Sequence, residues 1–441
     1  MDQYIENSYP ETAYFEQISQ IVDLIKNGKS CQLIGLSGTG RSTLLGLLAR
    51  NRKVRIKHFG ENQKQVHFVL VNFSEVKKRN LSDVMKYLFL NLTESLRERK
   101  MVEENKAVGD IFREHLKFHD ELILFQGFKE AIDYMALEKK ITVVFLLDRF
   151  EEYIPTVTAE FFSNLRILRS RARYSFSVVF SCYKPLETSL ETEILADYFE
   201  FAAGNIVYTP LKDSEMINFR VSQIENISGK KIPQKTLEEI VSLTAGVGRL
   251  VKLSVEAILA HGEKQKSLSD FLLGQKLIKT ALAEMWSVLT QEDQAALLSL
   301  NFTNPEVKEY LEKTGLIKNG KIQIPLFEMF IKTEINRNET GEGKIIYDEN
   351  TNTIRKNELI LSDQLTASEF RLLRFLLQNR DRIVERDELI DIVWAENKST
   401  AGITDQAVDQ LIFRLRRKIE EDANSPKYLL TVKGRGFRLV S

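Results

Sequence analysis

The chain has 441 residues, 43% hydrophobic and 28% charged, an ordinary balance for globular domains. Its 62 Lys and Arg residues equal its 62 Asp and Glu residues, a formal net charge of zero, so any charged partner must be met by a local patch. No run approaches the ~20 apolar residues of a membrane span, and the polar start lacks a secretion-signal pattern, so the expectation is three or four domains in a cytoplasmic protein without membrane contact.

The first readable elements surround residue 35. An apolar run, Cys31-Gln-Leu-Ile, leads into Gly35-Leu-Ser-Gly-Thr-Gly-Arg-Ser-Thr and then Leu44-Leu-Gly-Leu-Leu-Ala. Strand, glycine loop and helix form the context a phosphate-binding P-loop requires. Glycines let successive N–H groups turn toward phosphate, and the helix N-terminus adds a favourable dipole. Ser42 stands where a magnesium-binding hydroxyl is expected. Arg41 occupies the lysine position, keeping the charge but not the compact ammonium.

Arg50, Arg52, Lys53, Arg55, Lys57 and His58 follow, and read as a solvated loop in preference to a second DNA contact. Next comes Ile141-Thr-Val-Val-Phe-Leu-Leu-Asp148, a continuous apolar strand ending in a carboxylate. Arg149 follows directly, then Glu151 and Glu152. Arg166, Arg169, Arg171 and Arg173 read as a charged helix face more readily than as a source of an arginine finger. The strand Phe176-Ser-Val-Val-Phe-Ser181 ends in a polar residue, and Thr244-Ala-Gly-Val-Gly-Arg249 lies in a helical stretch from Leu211 to Lys279. Cys31 and Cys182, the two cysteines, fall within or at the end of strands and are expected to be buried, reduced thiols. The five scattered histidines show no structural metal spacing.

In this order the motifs resemble the STAND and origin-recognition branches of the AAA+ P-loop NTPases, over about residues 9–260. The resemblance implies ATP or ADP held by Gly35, Ser37, Gly38, Thr39, Gly40, Arg41, Ser42, Thr43 and the Walker B Asp148, with Ser181 as sensor 1 and Arg249 as sensor 2. It implies Mg2+ on Ser42 and Asp148. A glutamate usually follows the Walker B aspartate and orients the attacking water; here that position is Arg149, leaving Glu151 and Glu152 as candidate catalytic residues. Loss of one well-placed polar group in phosphoryl transfer commonly costs several kcal/mol of barrier. The expectation is a nucleotide-binding switch with slow or absent turnover.

From Glu284 to Glu334 the pattern is two helices and a short hairpin, with Asn319-Gly320 as the turn signal. It resembles the winged-helix module that often follows STAND ATPase lids. Its second helix carries Glu306, Glu309 and Glu312 beside Lys308 and Lys313, which suits packing or coupling better than DNA. A hydrophilic stretch, Asn336-Arg-Asn-Glu-Thr-Gly-Glu-Gly-Lys, reads as a linker.

The last forty residues concentrate positive charge. Between Gln410 and Ser441 there are eight basic and three acidic side chains, a net of +5. Val408, Leu411, Ile412, Leu415 and Ile419 make one apolar helical stripe, and Gln406, Gln410, Arg414 and Arg417 lie on the opposite face. A hairpin, Tyr428-Leu-Leu-Thr-Val-Lys-Gly-Arg-Gly-Phe-Arg-Leu-Val, follows. Upstream lie Leu365-Thr-Ala-Ser-Glu-Phe-Arg-Leu-Leu, with a capping box between Thr366 and Glu369, and Val384-Glu-Arg-Asp-Glu-Leu-Ile. Together these resemble the winged helix of OmpR/PhoB-type transcription factors. The resemblance implies double-stranded DNA as partner, with RNA polymerase and further copies of the chain as others. Gln406, Gln410, Phe413 and Arg414 would face base edges; Arg416, Arg417, Lys433 and Arg435 would meet phosphate. Gln410 stands where an apolar residue is common, and Phe413 where a basic one is common.

The expected architecture is multidomain α/β plus α+β. It comprises a P-loop NTPase core with a parallel sheet (residues 1–208), a helical lid (209–280), a winged-helix-like coupling module (281–335), a linker (336–343) and an OmpR/PhoB-type winged helix (344–441). The expected function is a nucleotide-responsive transcription regulator. The alternatives are a DNA-remodelling or replication-initiator-like ATPase, disfavoured by Arg41 and Arg149, and a STAND-type signalling or defence scaffold.

Overall fold

The structure is a computed structural model. It describes residues 4–118, 120–261, 267–335, 345–348, 352–356, 359–394, 405–420, 422–423, 425–432 and 434–440. The chain divides into two compact units, Met1–Phe330 and Ile331–Ser441. The expected linker, 336–343, lies outside the described residues.

The N-terminal unit is built on a parallel sheet of β1 (Cys31–Ile34), β2 (Val66–Asn72), β3 (Thr142–Asp148), β4 (Phe176–Cys182) and β5 (Ile206–Tyr208), ordered β2-β3-β4-β1-β5. Every pairing is parallel. β1 and β4 are buried throughout, and β3 in all but its first residue. Their near-continuous apolar runs follow from cover on both faces. The glycine loop follows β1 and Asp148 ends β3, so both lie at the carboxyl edge of the sheet. Helices α1 (Phe15–Lys26), α2 (Arg41–Arg50), α3 (Arg52–Phe59), α4 (Leu81–Glu98), α5 (Val102–Leu116), α6 (Glu121–Asp133) and α7 (Ala159–Arg171) belong to this core.

Residues 52–59 correct one expectation: the basic segment is helix α3, not a loop. Asn51 starts it, its side chain accepting from the Lys53 and Val54 N–H groups. Arg55 turns inward and donates to the Leu48 and Ala49 carbonyls. Burial and neighbouring cations lower its pKa to about 10.

The sheet is followed by helices α8 (Ser214–Ser228), α9 (Gln234–Thr244), α10 (Gly248–His261), α11 (Leu268–Gly274) and α12 (Lys276–Ser287). Then come α13 (Gln291–Ser299), α14 (Pro305–Lys313), the hairpin β6–β7 (Ile317–Lys318 and Lys321–Ile322) and α15 (Pro325–Phe330). Asn319 and Gly320 both have positive φ, the turn geometry a tight hairpin needs.

The C-terminal unit opens with an antiparallel sheet of β8 (Ile345–Asp348), β9 (Thr353–Lys356) and β10 (Leu359–Ile360). Helices Ala367–Gln378, Arg386–Val393 and Asp405–Ile419 follow, then the hairpin β11–β12 (Leu429–Val432 and Gly436–Leu439). Leu372, Leu376, Leu389, Leu411, Leu415 and Phe437 close one core beneath them. Three helices followed by a two-stranded hairpin make the unit a winged helix. Among the described residues, no helix is long and apolar enough to cross a membrane.

Candidate nucleotide pocket and nucleic-acid interface

The carboxyl ends of the parallel strands bring the P-loop, Asp148 and Ser181 together, the position where open α/β sheets bind ligands. A cavity of about 580 Å³ lies there, between the glycine loop and helices α8 and α10. Leu36, Ser37, Gly38, Gly40, Arg41, Ser42 and Thr43 line one side, and Met216, Arg220, Gly248, Arg249 and Lys252 the other. Gly40 precedes α2 with φ 96° and packs against Tyr14; a β-carbon there would lie 2.0 Å from the Tyr14 hydroxyl oxygen. That hydroxyl donates to the Thr39 carbonyl at 2.9 Å. Thr39 is buried, bonded to Thr209 and to the Leu36 carbonyl, so its side chain shapes the loop from behind.

The Ser42 hydroxyl donates to Asp148 Oδ1 at 3.0 Å, which joins the two residues expected to hold magnesium. A hydroxyl and a carboxylate are hard oxygen ligands that suit this ion. Arg41 does not point freely into the cavity. Its Nη2 donates to Glu151 Oε1 at 2.9 Å, its Nη1 lies 3.4 Å from the Ser181 hydroxyl, and its guanidinium stacks 4.1 Å from the Tyr183 ring centre. Burial alone would lower its pKa; the Glu151 carboxylate more than offsets that and raises it. Glu152 lies elsewhere, paired with Lys77 at 3.6 Å. The two acidic candidates are thus separated: Glu151 joins Arg41 of the glycine loop beside Ser181 of β4, and Glu152 does not.

Arg249 reaches the loop by its backbone, its N–H donating to the Gly38 carbonyl at 3.2 Å. Its side chain pairs with Glu284. Tyr183 and Glu284 were not foreseen. Tyr183 lies just beyond β4, and no local spacing relates it to Arg41.

In the C-terminal unit the five stripe residues Val408, Leu411, Ile412, Leu415 and Ile419 are buried, as their spacing requires. Gln406, Gln410, Arg414 and Arg417 are exposed, and Phe413 is 45% exposed despite its size. Gln410, Phe413 and Arg414 border a shallow surface groove of about 430 Å³ with Asp409, which pairs with Arg386 at 2.5 Å. Arg416 is committed internally: its guanidinium donates to the Leu429 carbonyl at 2.9 and 2.7 Å and to the Thr431 hydroxyl at 2.8 Å, tying the helix to the wing. That moves it from the phosphate-facing group to a bracing role. Arg435 is exposed at the wing tip, and Lys433 lies outside the described residues.

Residues 363–439 match the family model described as "Transcriptional regulatory protein, C terminal". The chain is 38% identical over 103 residues to Protein PetR of Rhodobacter capsulatus, covering 22% of this chain and 41% of that protein. It is 32% identical over 125 residues to the alkaline phosphatase synthesis transcriptional regulatory protein PhoP of Bacillus subtilis, covering 28% and 49%. The chain spans less than half the length of these relatives. Among solved structures, the Klebsiella pneumoniae RstA DNA-binding domain in complex with RstA box covers 22% of this chain and 97% of its own, at 24% identity and TM-score 0.19. The Walker-type ATPase paby2304 of Pyrococcus abyssi covers 72% and 95%, at 14% identity and TM-score 0.44.

Proposed function

We propose that the protein is a DNA-binding transcription regulator whose DNA reader answers to a nucleotide in the N-terminal cavity. The observation that carries the reading is the exposed face Gln406, Gln410, Phe413, Arg414 and Arg417 on a helix whose opposite face is buried in a winged helix. Gln and Arg read base edges in the major groove, and Phe meets the thymine methyl. Arg417 and Arg435 supply phosphate contacts, which position a domain without specifying sequence.

The nucleotide half rests on the glycine loop, the Ser42–Asp148 bond and a cavity lined by Arg41, Arg149, Arg220, Arg249 and Lys252. Five cationic side chains against Glu284 suit a polyphosphate. ATP or ADP would be held by the P-loop backbone and Arg41, and Mg2+ by Ser42 and Asp148. The ion would neutralise phosphate charge. Arg41 and Arg149 favour binding over turnover, and a STAND-like switch of this kind acts by population: nucleotide favours whichever arrangement it binds better.

The test is fluorescence anisotropy of the full chain on duplex DNA across a salt series. Affinity should fall steeply with salt, since counterion release supplies much of it. Arg435→Ala should weaken all sequences alike and flatten the salt slope. Arg414→Ala should cost about 1–3 kcal/mol on the preferred site above others. A chain without DNA affinity at low salt sinks the reading.

A further inference from the structure

The residue after Asp148 sits in unusual backbone. Arg149 has φ 55°, in the left-handed region that side chains with a β-carbon seldom adopt. Both neighbours are fixed. Asp148 is nearly buried and bonded to Ser42, while Phe150 is fully buried against Phe73, Phe161 and Phe180. The turn therefore places an exposed guanidinium on the wall of the cavity that the P-loop lines.

The other cations of that wall are engaged. Arg41 pairs with Glu151 and Arg249 with Glu284. Arg220 lies over the Tyr9 ring at 5.4 Å, and Lys252 is 3.8 Å from Glu256. Among the described residues, Arg149 has neither a carboxylate nor a ring as partner. The packed neighbours on either side hold this left-handed turn, and with it the direction of the Arg149 side chain.

We propose that Arg149 is the group by which this cavity distinguishes a nucleoside triphosphate from a diphosphate. The proposal rests on the reading of the cavity as a nucleotide site. A guanidinium carries donors only, so it cannot accept a bond from an attacking water as a carboxylate would. It can grip a phosphate with two parallel N–H donors. One side chain thus removes an acceptor needed for hydrolysis and adds a donor for the terminal phosphate, which is the group by which ATP exceeds ADP. The device reports which nucleotide is bound and does not time its own decay.

The experiment is calorimetry on the full chain with Mg2+, titrating ADP and the non-hydrolysable imido analogue of ATP into wild type, Arg149→Asn and Arg149→Lys. Asn tolerates left-handed backbone, so the turn is kept. Wild type should prefer the triphosphate analogue by tenfold or more. Arg149→Asn should lose far more affinity for the triphosphate analogue than for ADP and so lose the preference, and Arg149→Lys should recover part of it. Retained ADP binding also shows that the variant is folded. An intact preference in Arg149→Asn, an equal loss of both ligands, or a wild type that binds both alike overturns the proposal and leaves the nucleotide reading standing. A wild type that binds neither removes both.

Discussion

Arg41 illustrates how much one side chain can decide. Its guanidinium is engaged by Glu151, so a phosphate that draws it must compete with a carboxylate. Glu151→Gln removes that competitor's charge while keeping its shape. Affinity for Mg-ATP should rise by about tenfold, or ~1.4 kcal/mol, measured by calorimetry. If Glu151 instead served only to orient water, affinity would not change. A second expectation concerns turnover: Arg41→Lys with Arg149→Glu should raise phosphate release above that of wild type. Wild-type turnover already in the ~1–100 s⁻¹ range of efficient phosphoryl transfer would contradict the role given to these arginines. The thiols are inert by comparison; burial pushes Cys31 up to about 12 and Cys182 also well above its ordinary value.

At the scale of elements, the two wing glycines look alike in sequence and differ in structure. Gly434 has φ 72° with open space around it. Gly436 has φ 129°, and a β-carbon there would lie 2.1 Å from the Val384 carbonyl oxygen. That carbonyl belongs to the bridge joining the wing to the second helix, where Val384 and Phe437 exchange both backbone bonds. Gly434→Ala should cost about 1–2 kcal/mol of strain. Gly436→Ala should cost distinctly more, since strain of roughly 1–3 kcal/mol adds to a displaced bridge; chemical denaturation of the two variants compares them directly. The capping box gives a pH test. Burial would raise the Glu369 carboxyl, but the Lys418 ammonium at 2.6 Å and the Thr366 N–H and hydroxyl hold it below its ordinary value. A depressed folded pKa contributes stability that is fully present above the unfolded value of about 4.3 and is lost as pH falls through the folded one. Glu369→Gln should flatten the acid limb of a stability profile of this unit.

Motifs whose meaning lies in consecutive residues were legible in the sequence. The glycine loop, the Asp148 strand, the Thr366 cap, the Asn319-Gly320 turn and the stripe from Val408 to Ile419 all needed only local spacing. What was not legible depends on segments far apart in the chain. Arg41, Glu151, Ser181 and Tyr183 meet because β1, β3 and β4 are neighbours in the sheet. Arg416 reads as one more basic residue until the wing strand supplies the Leu429 carbonyl. Residues 52–59 read as a loop because five basic side chains outweigh the Asn51 cap and the buried Val54 and Phe59. The sheet from Ile345 to Ile360 was missed because its strands are two to four residues long.

For the whole molecule, the strongest test of a nucleotide-governed reader is reciprocity. If nucleotide changes DNA affinity by some factor, DNA must change nucleotide affinity by the same factor, whatever arrangement the two units adopt. The N-terminal unit already links the cavity to its own C-terminal module: Tyr183, stacked on Arg41, accepts from the Tyr310 hydroxyl at 3.0 Å through its carbonyl. The adjacent Lys184 pairs at 2.5 Å with Asp293, which is fully buried. Breaking a buried pair from one side costs about 3–5 kcal/mol, since a charge is left uncompensated. Lys184→Met should therefore destabilise the N-terminal unit and, at temperatures where it stays folded, weaken the coupling. A fivefold to hundredfold coupling, about 1–3 kcal/mol, is the usual range. The measurements are DNA affinity with and without the imido analogue of ATP, and analogue affinity with and without DNA. The two ratios should agree in wild type and move together toward one in Lys184→Met. Ratios of one in wild type, with both ligands bound, would show two independent modules and end the regulatory reading.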